Sequence, residues 1–186
     1  MNSVHLTNQY LIAMPQMADP NFYHTATYMC EHNDEGAMGL IINRPLDISL
    51  ADVLNQIDIE VTDPLLANTP IYYGGPVQEE RGFVLHKPVT TWESTIIISD
   101  QLAITTSKDI LIKIAEGNGP KQFLITLGYA GWSAGQIEKE LADNTWLNGA
   151  ADASIMFDTP IEDRWSQAAK DMGIDLNLLS GDAGHA

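Results

Sequence analysis

Cys30-Glu31-His32 is the densest run of reactive side-chain types in the chain, and Asn43-Arg44 stands at the far end of the apolar run that follows it. A thiol near an imidazole invites nucleophile-and-base chemistry. The spacing argues against that pairing, because two residues along a strand at about 3.3 Å each lie nearly 7 Å apart, outside hydrogen-bond reach unless the side chains lean together. No neighbouring residue supplies the positive field that would hold Cys30 as a thiolate, so it reads as a buried structural cysteine. His32 and Arg44 are better candidates for a pocket. A hydrolase or transferase here would need several polar types to converge between the Cys-Glu-His strand and residues 81–86.

The five histidines, at positions 5, 24, 32, 86 and 185, form no HExxH, no paired CxxC and no His-x3-His, so neither a metal nor any other cofactor is expected. No GxSxG elbow is present. The stretch QFLITLGYAGWSAGQIEKELADNTWL, residues 122–147, passes from strand to helix through glycines and could suggest a phosphate cradle. Its glycines fit neither GxGxxG nor GxxxxGK[ST], no basic residue lies between Lys121 and Lys139, and Glu138 and Glu140 would repel an anion. The glycines therefore serve turns and close packing.

The elements that must position these residues can be read from the same chain. Residues 9–14 form a first strand stopped at Pro15; residues 25–32 and 36–43 form a hairpin turning at Asn33-Asp34-Glu35-Gly36. Ser49 and Asp52 frame a short helix, Gly74-Gly75-Pro76 is a turn, and residues 95–99 are a strand. Ser107 caps a helix that Gly117 stops. In the 122–147 stretch, residues 123–127 are a buried strand ended by Gly128, and a helix starts at Ser133 through a capping box with Gln136. Residues 154–157 read as another buried strand, and a helix over residues 160–172 is capped at Thr159 and stopped by Gly173. Trp132, Trp146 and Trp165 sit beside helix ends, each with its indole N–H expected on a backbone carbonyl. Gly39-Leu-Ile-Ile-Asn-Arg-Pro45 echoes Gly82-Phe-Val-Leu-His-Lys-Pro88, which implies two strands leaving the sheet in the same way.

With 186 residues, 45% of them hydrophobic, the chain can bury one substantial core, so a single domain over residues 1–179 with a loose tail over 180–186 is expected. The net charge of −16, with 25 acidic residues against nine dispersed basic ones, opposes direct binding to nucleic acid or an anionic membrane. One cysteine permits no internal disulfide, and no basic leader or membrane-length apolar run is present, which together place the protein in the cytoplasm.

Several long motifs, LIAMPQMADPNF (residues 11–22), YMCEHNDEGAMGLIINRPL (28–46), YGGPVQEERGFVLH (73–86), LGYAGWSAGQIEKELADNTWL (127–147) and FDTPIEDRW (157–165), closely resemble the bacterial AlgH/YqgE family over nearly the whole length. The resemblance implies an α+β fold in which a bent mixed β-sheet forms a pseudo-barrel with flanking α-helices. The family name refers to regulation of alginate synthesis, and no agreed catalytic residue or cofactor comes with the motifs. They supply only candidate binding positions: Glu31, His32, Asn43, Arg44, Arg81, His86 and Gln136.

The function expected from these observations is a non-enzymatic cytosolic protein that binds a protein or small-molecule partner, with a regulatory effect. A hydrolase or transferase near the Cys30-Glu31-His32 strand is the alternative, and a DNA-binding regulator is disfavoured by charge. Arg44, held extended by Pro45, is expected to meet a carboxylate, with Glu31, Asp158 or Glu162 as the candidates.

Overall fold

The computed structural model describes residues 5–183. In chain order they form β1 (Gln9–Ala13), β2 (Ala26–Asn33), β3 (Gly36–Ile41), β4 (Pro45–Ser49), α1 (Leu50–Gln56), α2 (Pro64–Ala67), β5 (Pro70–Tyr73), β6 (Val77–Lys87), β7 (Thr95–Ile97), β8 (Ala103–Thr105), α3 (Lys108–Ala115), β9 (Gln122–Ser133), α4 (Gln136–Ala142), β10 (Trp146–Ala150), α5 (Ala153–Phe157), a 3-10 turn (Ile161–Asp163), α6 (Arg164–Asp171) and α7 (Leu176–Ala183). The sheet runs β10-β1-β2-β3-β9-β6-β8-β7 and curls into a half-barrel. β4 pairs with β5, which lies parallel to β9 and makes the sheet mixed. This is the α+β architecture with a bent sheet and flanking helices that the motifs implied.

β9 is the strand to which the rest attaches. Its first half pairs with β6 and β5, and its second half pairs with β3. Gly128 joins the halves instead of ending the strand: at φ 79° it takes a left-handed conformation that inverts which residues face inward. Leu124 therefore points to the main core before the glycine and Tyr129 after it. The expectation that Gly128 stops the strand is corrected, because a glycine in an apolar run marks a bulge as readily as an end.

The sheet is covered on both faces, which accounts for the continuous burial along β1 and β2. Tyr10, Tyr28, Leu40 and Leu124 meet α5, α6 and α7 in the main core. On the other face, Leu11, Met29 and Trp132 lie beneath α4, while Ile71, Val84 and Ile125 lie beneath α1 and α3.

The predicted hairpin forms, with Asn33 opposite Gly36. The Ser49–Asp52 capping box is complete at α1. Ser107 stands at the start of α3, but its hydroxyl accepts the Ser94 N–H and donates to Asp109 rather than capping the helix. α4 starts at Gly135 rather than Ser133; Gln136 Oε1 does accept the Ser133 N–H, but the serine hydroxyl also donates to that oxygen and leaves the helix N–H groups uncapped. Residues 154–157 belong to a helix, α5, because a short apolar run buried on one side does not distinguish strand from helix. The helix expected over 160–172 is divided into a 3-10 turn and α6. The two echoing segments do not leave the sheet alike: of the first, Gly39 alone pairs with β9 and Pro45 opens β4, whereas the second pairs with β9 from Gly82 to Lys87. Of the tail, residues 180–183 continue α7 and residues 184–186 lie outside the described residues. No helix among the described residues is long and apolar enough to cross a membrane.

Candidate functional site

A bulge decides the fate of the Cys-His pair. β2 shifts register between Met29 and Glu31, so Cys30 and His32 do not share a face as alternate residues of a regular strand would. Cys30 lies in the main core, its thiol donating to Tyr28 O at 3.6 Å, and burial, then the Glu31 charge, pushes its pKa well up. A thiol reagent at pH 7 should label native Cys30 far more slowly than the unfolded chain; equal rates would restore it as a nucleophile.

His32 sits under α4. Its Nδ1 accepts the Leu6 N–H at 3.1 Å, so the Nε2 carries the proton given to Glu138. The ring thus ties the N-terminal segment and α4 to β2, and its backbone N–H is held by Thr7 Oγ1. Glu31 turns outward and accepts from Asn33. One turn along α4 from Gln136, Glu140 uses a single oxygen to accept the indole N–H groups of Trp132 (3.0 Å) and Trp146 (2.9 Å), while Gln136 bonds its other oxygen. The indoles expected on carbonyls therefore meet a carboxylate; only Trp165 finds a carbonyl, that of Ala13.

Asn43 and Arg44 order the segment between β1 and β2. Asn43 accepts from Ala26 N and donates to His24 O. Arg44 donates to the carbonyls of Pro20 and Tyr23, at 2.5 and 2.6 Å. Among the described residues no carboxylate meets Arg44, because it overshoots the hairpin partner and reaches the turn preceding β2. Beside it, His24 is stacked between Tyr23 and Trp165 at 3.8 and 3.9 Å.

Arg81 and His86 occupy the two ends of β6's second half. Arg81 lies over the Phe83 ring at 5.2 Å and touches Gln78. His86 is fully buried: a carbonyl can only accept, so Nδ1–H donates to Pro88 O, and Nε2 must accept from Thr105 Oγ1. Thr95 then donates to Thr105 and takes the Trp92 N–H, which gives the chain one direction throughout. Burial lowers the His86 pKa below 6.5, more than the Pro88 bond raises it. The unfolded histidine therefore binds a proton that the folded one refuses, so its contribution is complete above about pH 6.5 and is lost as pH falls through the lowered folded value. Urea midpoints at pH 7.5 and 5.5 should show wild type losing more than His86→Gln, which keeps an acceptor but does not titrate; identical losses would disprove the assignment.

The candidates thus fall in separate places: Gln136 opens α4 and His32 lies beneath it, Glu31 faces outward on β2, Asn43 and Arg44 follow β3, and Arg81 and His86 lie on β6. Among the described residues no group of three His, Cys, Asp or Glu could hold a metal.

One hollow in the structure contains none of them. A cavity of about 290 Å³ lies where β5 and the start of β9 meet the α5–α6 corner, walled by Tyr72, Phe123, Leu124, Met156 and Phe157 with Arg164 in its lining. Arg164, not singled out by the sequence reading, is only 6% exposed; Nε bonds Thr159 O, Nη1 bonds Ile42 O, and the guanidinium lies 5.2 Å from the Tyr72 ring centre. Its signal was its place one turn before Ala168 and two before Met172, on the face of the helix that the core receives. A second space of about 250 Å³ near Ser99 and Leu102 has no buried ionised side chain in its lining.

A family model described as AlgH-like matches residues 10–177. A UPF0301 protein of Thioalkalivibrio sulfidiphilus is 54% identical over 99% of this chain and 98% of its own. Another, from Cupriavidus metallidurans, is 54% identical over 98% and 96%. The solution structure of the AlgH protein from Pseudomonas aeruginosa is similar at a TM-score of 0.81, with 51% identity over 100% of this chain and 98% of that one. A Corynebacterium diphtheriae crystal structure, 18% identical, shares the fold at a TM-score of 0.76 over 96% and 93%.

Proposed function

We propose that this chain, which belongs to the AlgH-like family, is a cytosolic protein that acts by binding a small molecule rather than by catalysis, with a regulatory effect. The observation that carries the reading is the preformed cavity at the α5–α6 corner: Tyr72, Phe123, Met156 and Phe157 offer apolar and aromatic wall, and the two ionised side chains of Lys121 and Arg164 offer orientation. The reactive types supply no competing catalytic arrangement. Cys30 is sealed in the core, His86 is spent on Pro88 and Thr105, and His32 ties elements together. The net charge of −16 supports a soluble binder that avoids nucleic acid.

Methyl-labelled protein screened by NMR against a diverse fragment set tests the reading, with Met156 and Leu124 as reporters. Saturable shifts confined to the cavity methyls are expected. Shifts scattered over the surface would reject the site, and chemical conversion of a bound fragment would make the protein an enzyme.

A further inference from the structure

Among the described residues Arg164 is the buried basic side chain, and its surroundings do not account for its charge. A buried guanidinium normally meets a carboxylate, because taking an ion out of water costs several kcal/mol unless a counter-charge and hydrogen bonds replace the solvent. Here two carbonyls and the face of Tyr72 supply partial negative charge, and no Asp or Glu oxygen lies within 4.0 Å of Arg164 among the described residues. Nη2 makes no hydrogen bond among the described residues and is not sealed from solvent space. The space that Arg164 lines is the cavity, and exposed Lys121 lines it too. In a chain with 25 acidic residues and nine basic ones, a hollow whose ionised lining residues are both cations is a local reversal of sign. Asp158, bonded to Gln122, is the acidic group beside that rim, and Gln122 holds it.

Resting on the binding reading above, we infer that the cavity is an anion site that takes a small organic anion. A carboxylate or phosphate oxygen accepts from Arg164 Nη2 and lies near Lys121, and the apolar body packs on Phe123, Met156 and Phe157. A guanidinium already held by two carbonyls loses little freedom on meeting an oxyanion, and Lys121 adds a point charge that needs no fixed geometry. The walls carry both polar and apolar surface, which favours a ligand carrying both parts over an inorganic ion alone.

The test compares benzoate, phenyl phosphate and the neutral benzamide as probes of the full chain. It is run below about 0.1 M salt, where screening extends over about 10 Å or more. Affinities are read from NMR shifts of Leu124 and Met156. At least one anion should bind about tenfold or more tightly than benzamide, as a charge-assisted hydrogen bond allows, and the tighter anion names the head group. Lys121→Gln, an exposed change that leaves the fold intact, should shrink that preference severalfold. Arg164→Lys should retain less of it than wild type, because lysine cannot bond both carbonyls and the ligand. Equal affinity for benzamide and the anions would overturn the anion site while leaving the binding reading in place. No cavity shift with any probe would overturn both.

Discussion

Gly128→Ala is expected to cost the fold about 2 to 5 kcal/mol, a large share of the 5–15 kcal/mol typical of a domain. Two effects combine. At φ 79° an L residue is strained by roughly 1–2 kcal/mol, and a Cβ placed there would stand 2.4 Å from Gly75 O and 3.2 Å from Glu79 Cα. Both obstacles are backbone, so neither can swing aside, and overpacking adds about 1–3 kcal/mol. Gly173→Ala separates the two effects. Its φ is 82°, but a Cβ there meets nothing within 4 Å, so only the conformational part, roughly 1–2 kcal/mol, should appear. Denaturant midpoints of the two variants decide the matter. Equal losses would mean that the crossing of Gly128 over Gly75 relaxes freely and that β9 is not pinned there.

Glu140→Ala should destabilise by about 3 kcal/mol, because it strands two buried indole N–H groups at once and each unmet donor costs about 1–3 kcal/mol. Trp132 and Trp146 are 6% and 4% exposed, leaving little water to replace the lost oxygen. They also pack edge-on at 6.0 Å and share Phe22 as a neighbour, so disturbance of one ring reaches the other. Glu140→Gln is the informative partner. Both indoles share one oxygen, which an amide carbonyl can supply, so the loss should be about 1 kcal/mol or less. Near-UV circular dichroism and urea midpoints read the two variants together. A glutamine variant as unstable as the alanine one would show that the charge, not the acceptor, holds the pair.

Local features were legible wherever chemistry within a few residues decides the outcome. The Ser49–Asp52 capping box and the Asn33–Gly36 hairpin close among near neighbours, and both form as read. Ser133 and Gln136 have capping-box spacing too, but Gly135 offers the turn that starts α4, and β9 keeps pairing as far as Ser133. Local spacing cannot reveal that a strand has a partner waiting. The candidate site was legible least, because a side chain's role there depends on what lies across the fold. Arg44 and Arg164 are alike in sequence, each near a strand or helix end beside an aromatic or proline. Arg44 reaches the 20–23 turn, while Arg164 reaches Ile42, on the strand side of the core. Glu138 and Glu140, read as charges beside the first turn of α4, find His32 and the two tryptophans. Glu138 stays exposed on the solvent face of the helix while it meets His32, a contact that helical periodicity alone does not reveal.

The pairing of β1 has a consequence for how the protein is made. Gln9 lies opposite Ala150 and Ala13 opposite Trp146, so one edge of β1 belongs to a segment translated well over a hundred residues later. Its other edge meets β2 early, with Tyr10 opposite Tyr28. At about 5–20 residues per second, β10 leaves the ribosome roughly 7 to 30 s after β1. Throughout that interval the nascent chain carries β1 as an open, largely apolar edge, the kind of strand that pairs with a neighbouring copy. Release factors acting before residue 146 leave that edge permanently open, and synthesis past β10 closes it.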